Sequence, residues 1–158
     1  MNIELGGGPN PKYRPNVDVL HGDIKQDVRQ GLPFPDGSVD LIWSSDFFEH
    51  LTFEEGLACL RECARVLAPG GMIDFHIPDM AAAFAYHNHG PGTGWGYELE
   101  MCCYGDRSSE WQTHKAWYTK DTMRYALEHE GWDAKIEQVL THGWPAQPKM
   151  RVQAWPRR

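Results

Sequence analysis

The sequence predicts a three-layer α/β sandwich built on a mainly parallel sheet. Short apolar runs with β-branched residues alternate with capped stretches whose apolar residues recur every three or four positions. The first of those runs ends in three consecutive glycines, as a strand does when it delivers the chain to a ligand loop. A length of 158 residues with 41% apolar content suits one domain over 1–158.

Ile3-Glu4-Leu5 reads as the first strand and Val17-Asp18-Val19-Leu20 as the second. Pro9, Pro11 and Pro15 lie between them, so the first crossover is shortened to a helical turn at most. Leu32 to Gly37 forms a turn, and Val39 to Ser45 is the third strand. Thr52 and Glu55 have the spacing of a capping box, with each side chain meeting an orphan amide of the helix start. Leu57, Leu60, Ala64 and Leu67 give that helix an apolar face, and Pro69-Gly70-Gly71 stops it. Met72 to Ile77 follows as a strand.

Residues 79 to 118 are rich in Gly, His and aromatics and lose periodicity after a short helix near Met80 to Tyr86, as expected of a lid or acceptor-side insertion. Thr119 to Glu130 reads as a helix with Thr119 as N-cap and Gly131 just past its end. Ile136 to Leu140 and Met150 to Trp155 read as a closing hairpin around His142 to Pro148, which supplies an antiparallel C-terminal strand.

Lys and Arg number 15 against 22 Asp and Glu, a net charge of −7 that disfavours binding to a nucleic acid backbone. No apolar run approaches the roughly 20 residues of a membrane span, and no leader is legible, so the expectation is a soluble cytoplasmic protein. Cys59, Cys63, Cys102 and Cys103 lack disulfide or zinc-ribbon spacing and read as buried thiols. His76, the His87-Asn88-His89 run and the cysteines show no ligand spacing, so no metal is expected.

Ligands of an open parallel sheet bind beyond the carboxyl ends of its strands. Gly6, Gly7, Gly8, Asp18, Asp27 and the stretch from Ser45 to His50 fall at such ends. A dinucleotide fingerprint starting at Gly6 would need glycine where Pro11 stands, and a P-loop would need a Gly-Lys-Ser/Thr that is missing. The nicotinamide and nucleoside-triphosphate readings both fail, and without G-x-S-x-G so does a hydrolase.

Several stretches together resemble one family: Glu4-Leu5-Gly6-Gly7-Gly8, Asn16-Val17-Asp18, Asp27 leading to Leu32-Pro33-Phe34-Pro35-Asp36-Gly37-Ser38-Val39-Asp40, Glu49-His50-Leu51, Arg65-Val66-Leu67 with Pro69-Gly70-Gly71, and Ile77-Pro78-Asp79. In order and separation over roughly residues 3 to 79 they are similar to the small class I S-adenosylmethionine-dependent methyltransferases of Rossmann-like fold, type 11 in particular. The resemblance implies S-adenosylmethionine as cofactor and S-adenosylhomocysteine as product. It implies that Glu4, Gly6, Gly7 and Gly8 line the methionine portion, that Asp18 and Val19 hold the ribose, and that Asp27 and Val28 lie beside the adenine. Ser45 and Asp46 would lie near the sulfonium and the acceptor.

Asp46, Glu49, His50 and His114 are the candidates for acid–base work, with turn-shaping as the alternative for Glu49 and His50 and a plain loop histidine as the alternative for His114. Trp95, Tyr97, Tyr104, Trp111, Trp117 and Tyr118 offer faces for a small-molecule or glycan acceptor, or else cover a sheet edge or a homodimer contact. Asn10 stands where the family has a third glycine and Asp46 where a histidine is common. Those departures motivate a second expectation, a cofactor-binding but catalytically degenerate regulatory or partner module.

Overall fold

Hydrophobic alternation decides which side of each strand is covered. In the computed structural model, which describes residues 1–89, 95–140 and 148–157, the strands are β1 (Asn2–Leu5), β2 (Asn16–Val17), β3 (Val39–Ser45), β4 (Leu67–Pro78), β5 (Trp132–Leu140) and β6 (Pro148–Pro156). They form one six-stranded sheet in the order β2-β1-β3-β4-β6-β5. β1 to β4 pair in parallel, whereas β6 runs antiparallel to both β4 and β5. The expected mainly parallel α/β sheet, including its antiparallel C-terminal strand, is therefore the observed one. Residues 141–147, where the hairpin connection was expected, lie outside the described residues.

Register places Ile3, Ile42, Ile73 and Ala154 in one row and Leu5, Ser44, Phe75 and Val152 two positions on. These side chains are all fully buried and share a core with helices α1 (Phe53–Val66) and α4 (Lys120–His129). The residues flanking α4 reach α1: the Tyr118 ring lies 6.2 Å from that of Phe53, and Glu130 pairs with Arg61 at 2.7 Å. The intervening row of Glu4, Trp43, Asp74 and Gln153 faces the other way. That face carries the Lys12 ammonium 3.6 Å from the Trp43 ring centre, a Trp43–His76 ring contact and an Asp74–Arg151 ion pair. The two connections flanking β2 contain no α-helix, only a 3-10 turn at Val28–Gln30, so the proline-rich loop and its cation–π contact serve as cover.

Both helix starts form as expected. Thr52 accepts from the Glu55 amide at 3.2 Å while Glu55 accepts from the Thr52 amide at 2.8 Å. Thr119 caps α4, and Gly131 takes the left-handed φ of +78° beyond it.

Several elements differ from expectation. β2 stops at Val17, because the Asp18 carboxylate accepts the amides of Leu20 and His21 and folds those residues into a turn. β4 begins at Leu67, so Pro69-Gly70-Gly71 ends the helix but lies within an extended strand. Helix α2 spans Met80–His89, and α3 (Trp95–Tyr104) occupies a segment without helical periodicity. Cys102 and Cys103 of α3 bury against Met80 and Ala83 of α2 in a cluster separate from the main core. A helix whose buried apolar residues, among those described, cluster with one neighbouring helix has few positions to mark.

Replacing Thr52 by Ala removes one side of the capping box and should cost about 1 kcal/mol, lowering the thermal midpoint by about 2–4 °C for a chain of this size. Circular dichroism melting checks this, and an unchanged midpoint would show the cap to be idle.

Candidate active site

Leu5 delivers the chain to Gly6 at the carboxyl end of β1. Gly6 adopts φ +66°, and a Cβ there would sit 2.5 Å from the Phe47 ring. Gly8, at φ +58°, lines a cavity, and a Cβ there would meet no protein atom within 4 Å. The glycine amides are all engaged. Gly6 donates to the Val17 carbonyl at 2.9 Å, Gly7 to Asn16 Oδ1 at 3.0 Å and Gly8 to Asp18 Oδ2 at 3.2 Å. Asn16 Nδ2 returns a bond to the Gly8 carbonyl at 3.1 Å.

The cavity encloses about 340 Å³ beyond the ends of β1, β2 and β3. Gly6, Gly8, Asp18, Val19, Asp27, Val28, Asp46 and His50 all contribute to its wall, so the structure brings together residues from four separate segments. Glu4, Gly7 and Ser45 do not. Glu4 projects to the opposite sheet face, where its carboxylate accepts the Tyr13 amide at 2.7 Å. Ser45 donates to Asp46 at 3.0 Å, and Gly7 is turned against Glu4 and Pro11. His114 stands behind His50, with ring centres 5.0 Å apart.

Two carboxylates expected to hold a ligand have work within the chain. Asp18 accepts three backbone amides, those of Gly8, Leu20 and His21, leaving about one of its roughly four lone-pair positions for a ligand. Asp27 caps the 3-10 turn and binds Arg29 bidentately, at 2.9 Å from Nε and 2.6 Å from Nη2. That bond holds the Asp27 carboxyl below its usual range. Arg29 in turn lies 5.0 Å from the ring centre of Trp111, one of the lid residues in the wall with Gln112 and Lys115.

At the other end, Asp46 sits at the close of β3 with φ +53° and pairs with the buried Lys149 of β6. The Glu49 carbonyl accepts the amides of Lys115 and Ala116, which pins the segment before α4 to the strand-to-helix turn. His50 Nδ1 donates to the Thr113 carbonyl at 3.2 Å and His114 Nδ1 to the Cys102 carbonyl at 2.9 Å. Burial lowers the pKa of both imidazoles, and with Nδ1 donating, each Nε2 is the acceptor nitrogen of its ring. Glu49 is 2% exposed, and burial followed by the charge of Asp46 pushes its carboxyl well up.

Sequence reasoning missed Lys149, which lies 103 residues from Asp46 and carries no local signal. It also missed Asn16 as the clasp of the glycine loop, although Asn16 directly precedes the two strand-end residues that were read. Of the lid aromatics, Trp111 reaches the cavity, Tyr118 is buried in the core, and Tyr104 packs on Trp117 with ring centres 5.9 Å apart. The side chains of Trp95 and Tyr97 lie outside the described residues.

A glycine loop and a strand-end cavity beside a mainly parallel sheet with an antiparallel C-terminal strand form an open α/β fold of the Rossmann-like type. Residues 7–75 match the family described as "Methyltransferase domain", and the resemblance to S-adenosylmethionine-dependent methyltransferases stands on sequence and fold together. Over 65 residues the chain is 37% identical to a protein of Mycolicibacterium smegmatis named "Probable S-adenosylmethionine-dependent methyltransferase". That stretch is 41% of this chain and 23% of the relative, so the match spans about a quarter of the relative's length. A solved S-adenosylmethionine-dependent methyltransferase from Thermotoga maritima superposes with TM-score 0.67 at 15% identity, covering 98% of this chain and 81% of the other. One from Archaeoglobus fulgidus gives TM-score 0.67 at 16% identity over 97% and 84%.

Asn16→Ala removes the acceptor of the Gly7 amide from a fully buried position and should destabilise the protein by about 1–3 kcal/mol. Urea unfolding measures this, and a change within a few tenths would mean that the loop holds without its clasp.

Proposed function

We propose that this protein is an S-adenosylmethionine-dependent methyltransferase acting on a small-molecule or glycan-type acceptor. The observation that carries the proposal is the cavity at the strand ends, bounded by the glycine loop at one end and by Asp46 and His50 at the other. The residues fit the cofactor: Gly8 leaves open space where any side chain would intrude, and the volume of about 340 Å³ falls in the range of small-ligand sites. When bound, the cofactor supplies an electrophilic methyl group on a sulfonium.

The chain's own task is to align an acceptor with that methyl and to keep water out. Gly6 and Gly8 permit close backbone approach, the remaining acceptor capacity of Asp18 takes a ribose hydroxyl, and the Val19 and Val28 side of the wall offers apolar contact to a base. Trp111, braced by Arg29, gives the lid one aromatic face over the cavity. His50, with His114 behind it, gives the acceptor end neutral nitrogens able to receive a proton or bind a ligand.

The second reading, a cofactor-binding module without transfer, is favoured by the engagement of Asp27 with Arg29 and of Asp46 with Lys149. Calorimetry with S-adenosylmethionine and S-adenosylhomocysteine, followed by turnover against an acceptor panel, separates the two. Binding with turnover supports the enzyme, binding without turnover on any acceptor supports the module, and a folded protein that binds neither compound overturns both.

Asp18→Ala should weaken cofactor binding about tenfold or more, since a hydrogen bond to a charged group contributes about 1.5–3 kcal/mol. Titration calorimetry on a sample whose circular dichroism matches the parent checks this. Full retention of affinity would remove Asp18 from the site.

A further inference from the structure

We propose that Glu49, His50 and His114 form a binding site for a divalent transition-metal cation of the zinc type at the acceptor end of the cavity, with an open coordination position facing the cavity. A carboxylate oxygen of Glu49 and one ring nitrogen from each histidine lie within 4.8 Å of one another. Two imidazoles and one carboxylate with a further position open is the donor set of catalytic zinc sites.

Three independent features of the structure point to a cation here. Glu49 is 2% exposed, and neither of its carboxylate oxygens makes a well-formed hydrogen bond among the described residues, although the Asp46 carboxylate lies close beside it. A buried carboxyl left without such bonds is costly, and a cation between it and two imidazoles removes the deficit. Each histidine also spends Nδ1 on a backbone carbonyl, that of Thr113 for His50 and that of Cys102 for His114. Such outer bonds fix the tautomer and aim Nε2 as the ligand atom, which is how metal-binding histidines are held. Finally, the three residues come from two segments that backbone bonds already tie together, the amides of Lys115 and Ala116 both donating to the Glu49 carbonyl.

Bond lengths of about 2.1 Å place the donors of a tetrahedral site roughly 3.4 Å apart. A spread of up to 4.8 Å closes to that by small side-chain rotations. Asp46 is committed to Lys149, so it neutralises that ammonium and does not act as a ligand. His50 lines the cavity, so the open position faces the space where an acceptor enters and suits one that offers an oxygen or nitrogen lone pair. Its connection to an acceptor rests on the methyltransferase reading, whereas the cation site itself does not.

The test uses the full chain, stripped with a chelator and titrated with cobalt(II) while visible absorption is recorded, then with zinc(II) in competition. One equivalent of cobalt, with the intense bands of low coordination number and displacement by zinc, is the expected result. His114→Ala and Glu49→Gln, each confirmed folded by circular dichroism, should bind at least tenfold more weakly, and His129→Ala on α4 should bind as the parent does. Absence of a stoichiometric spectrum in the parent overturns the proposal, as does equal affinity in both His114→Ala and Glu49→Gln. No S-adenosylmethionine is present, so failure here is distinct from failure of the cofactor titration.

Discussion

Asn16 and Asp18 reach back from the second strand to the amides of Gly7 and Gly8, and the cavity depends on that clasp. A glycine run is the most expensive part of the chain to order, since each residue gives up more backbone freedom than any other type. A crossover helix would ordinarily brace such a run, and here the connection has none. Two side chains take over that bracing, helped by the Gly6 bond to Val17 and by Glu4, which anchors the far end of the loop through the Tyr13 amide. The consequence is a loop whose amides face inward, so it offers a ligand close backbone approach rather than a nest of free donors.

The same economy shapes the whole sheet. One face meets α1 and α4 through aliphatic rows and behaves as a core, while the other is occupied by Trp43, His76, Asp74 and Arg151 under a proline-rich loop. Burying a full second helical layer would have required longer connections than the chain has around β2. Cation–π and ion-pair contacts cover that face with far less chain.

At the opposite end of the cavity the design is reversed, with polar groups driven into the interior. The turn after β3 buries Glu49 beneath the lid, and the lid's own backbone, through Thr113 and Cys102, sets the orientation of His50 and His114. That end of the cavity is built jointly by the turn after β3 and by the segment around residues 111–116. Lys149, from the last strand, keeps the Asp46 carboxylate at the cavity edge from standing as an unpaired charge beside them.

How much of this was legible follows from the range over which each signal acts. The capping box at Thr52, the left-handed Gly131, the alternating strands and the glycine loop are properties of a few neighbouring residues, so the sequence by itself determined them, along with the fold class and the family resemblance. Residues at the ends of β1, β2 and β3 were readable for the same reason, because parallel strands must open to one side. The short β2 and the helix α3 were not, since one depended on where the Asp18 carboxylate would find donors and the other on a neighbour in the lid. Tertiary structure alone decided which carboxylates are already engaged, which face of the sheet is core, and that Glu49, His50 and His114 meet. Those outcomes depend on contacts between residues far apart in the chain, and spacing along a sequence carries no measure of distance across a fold.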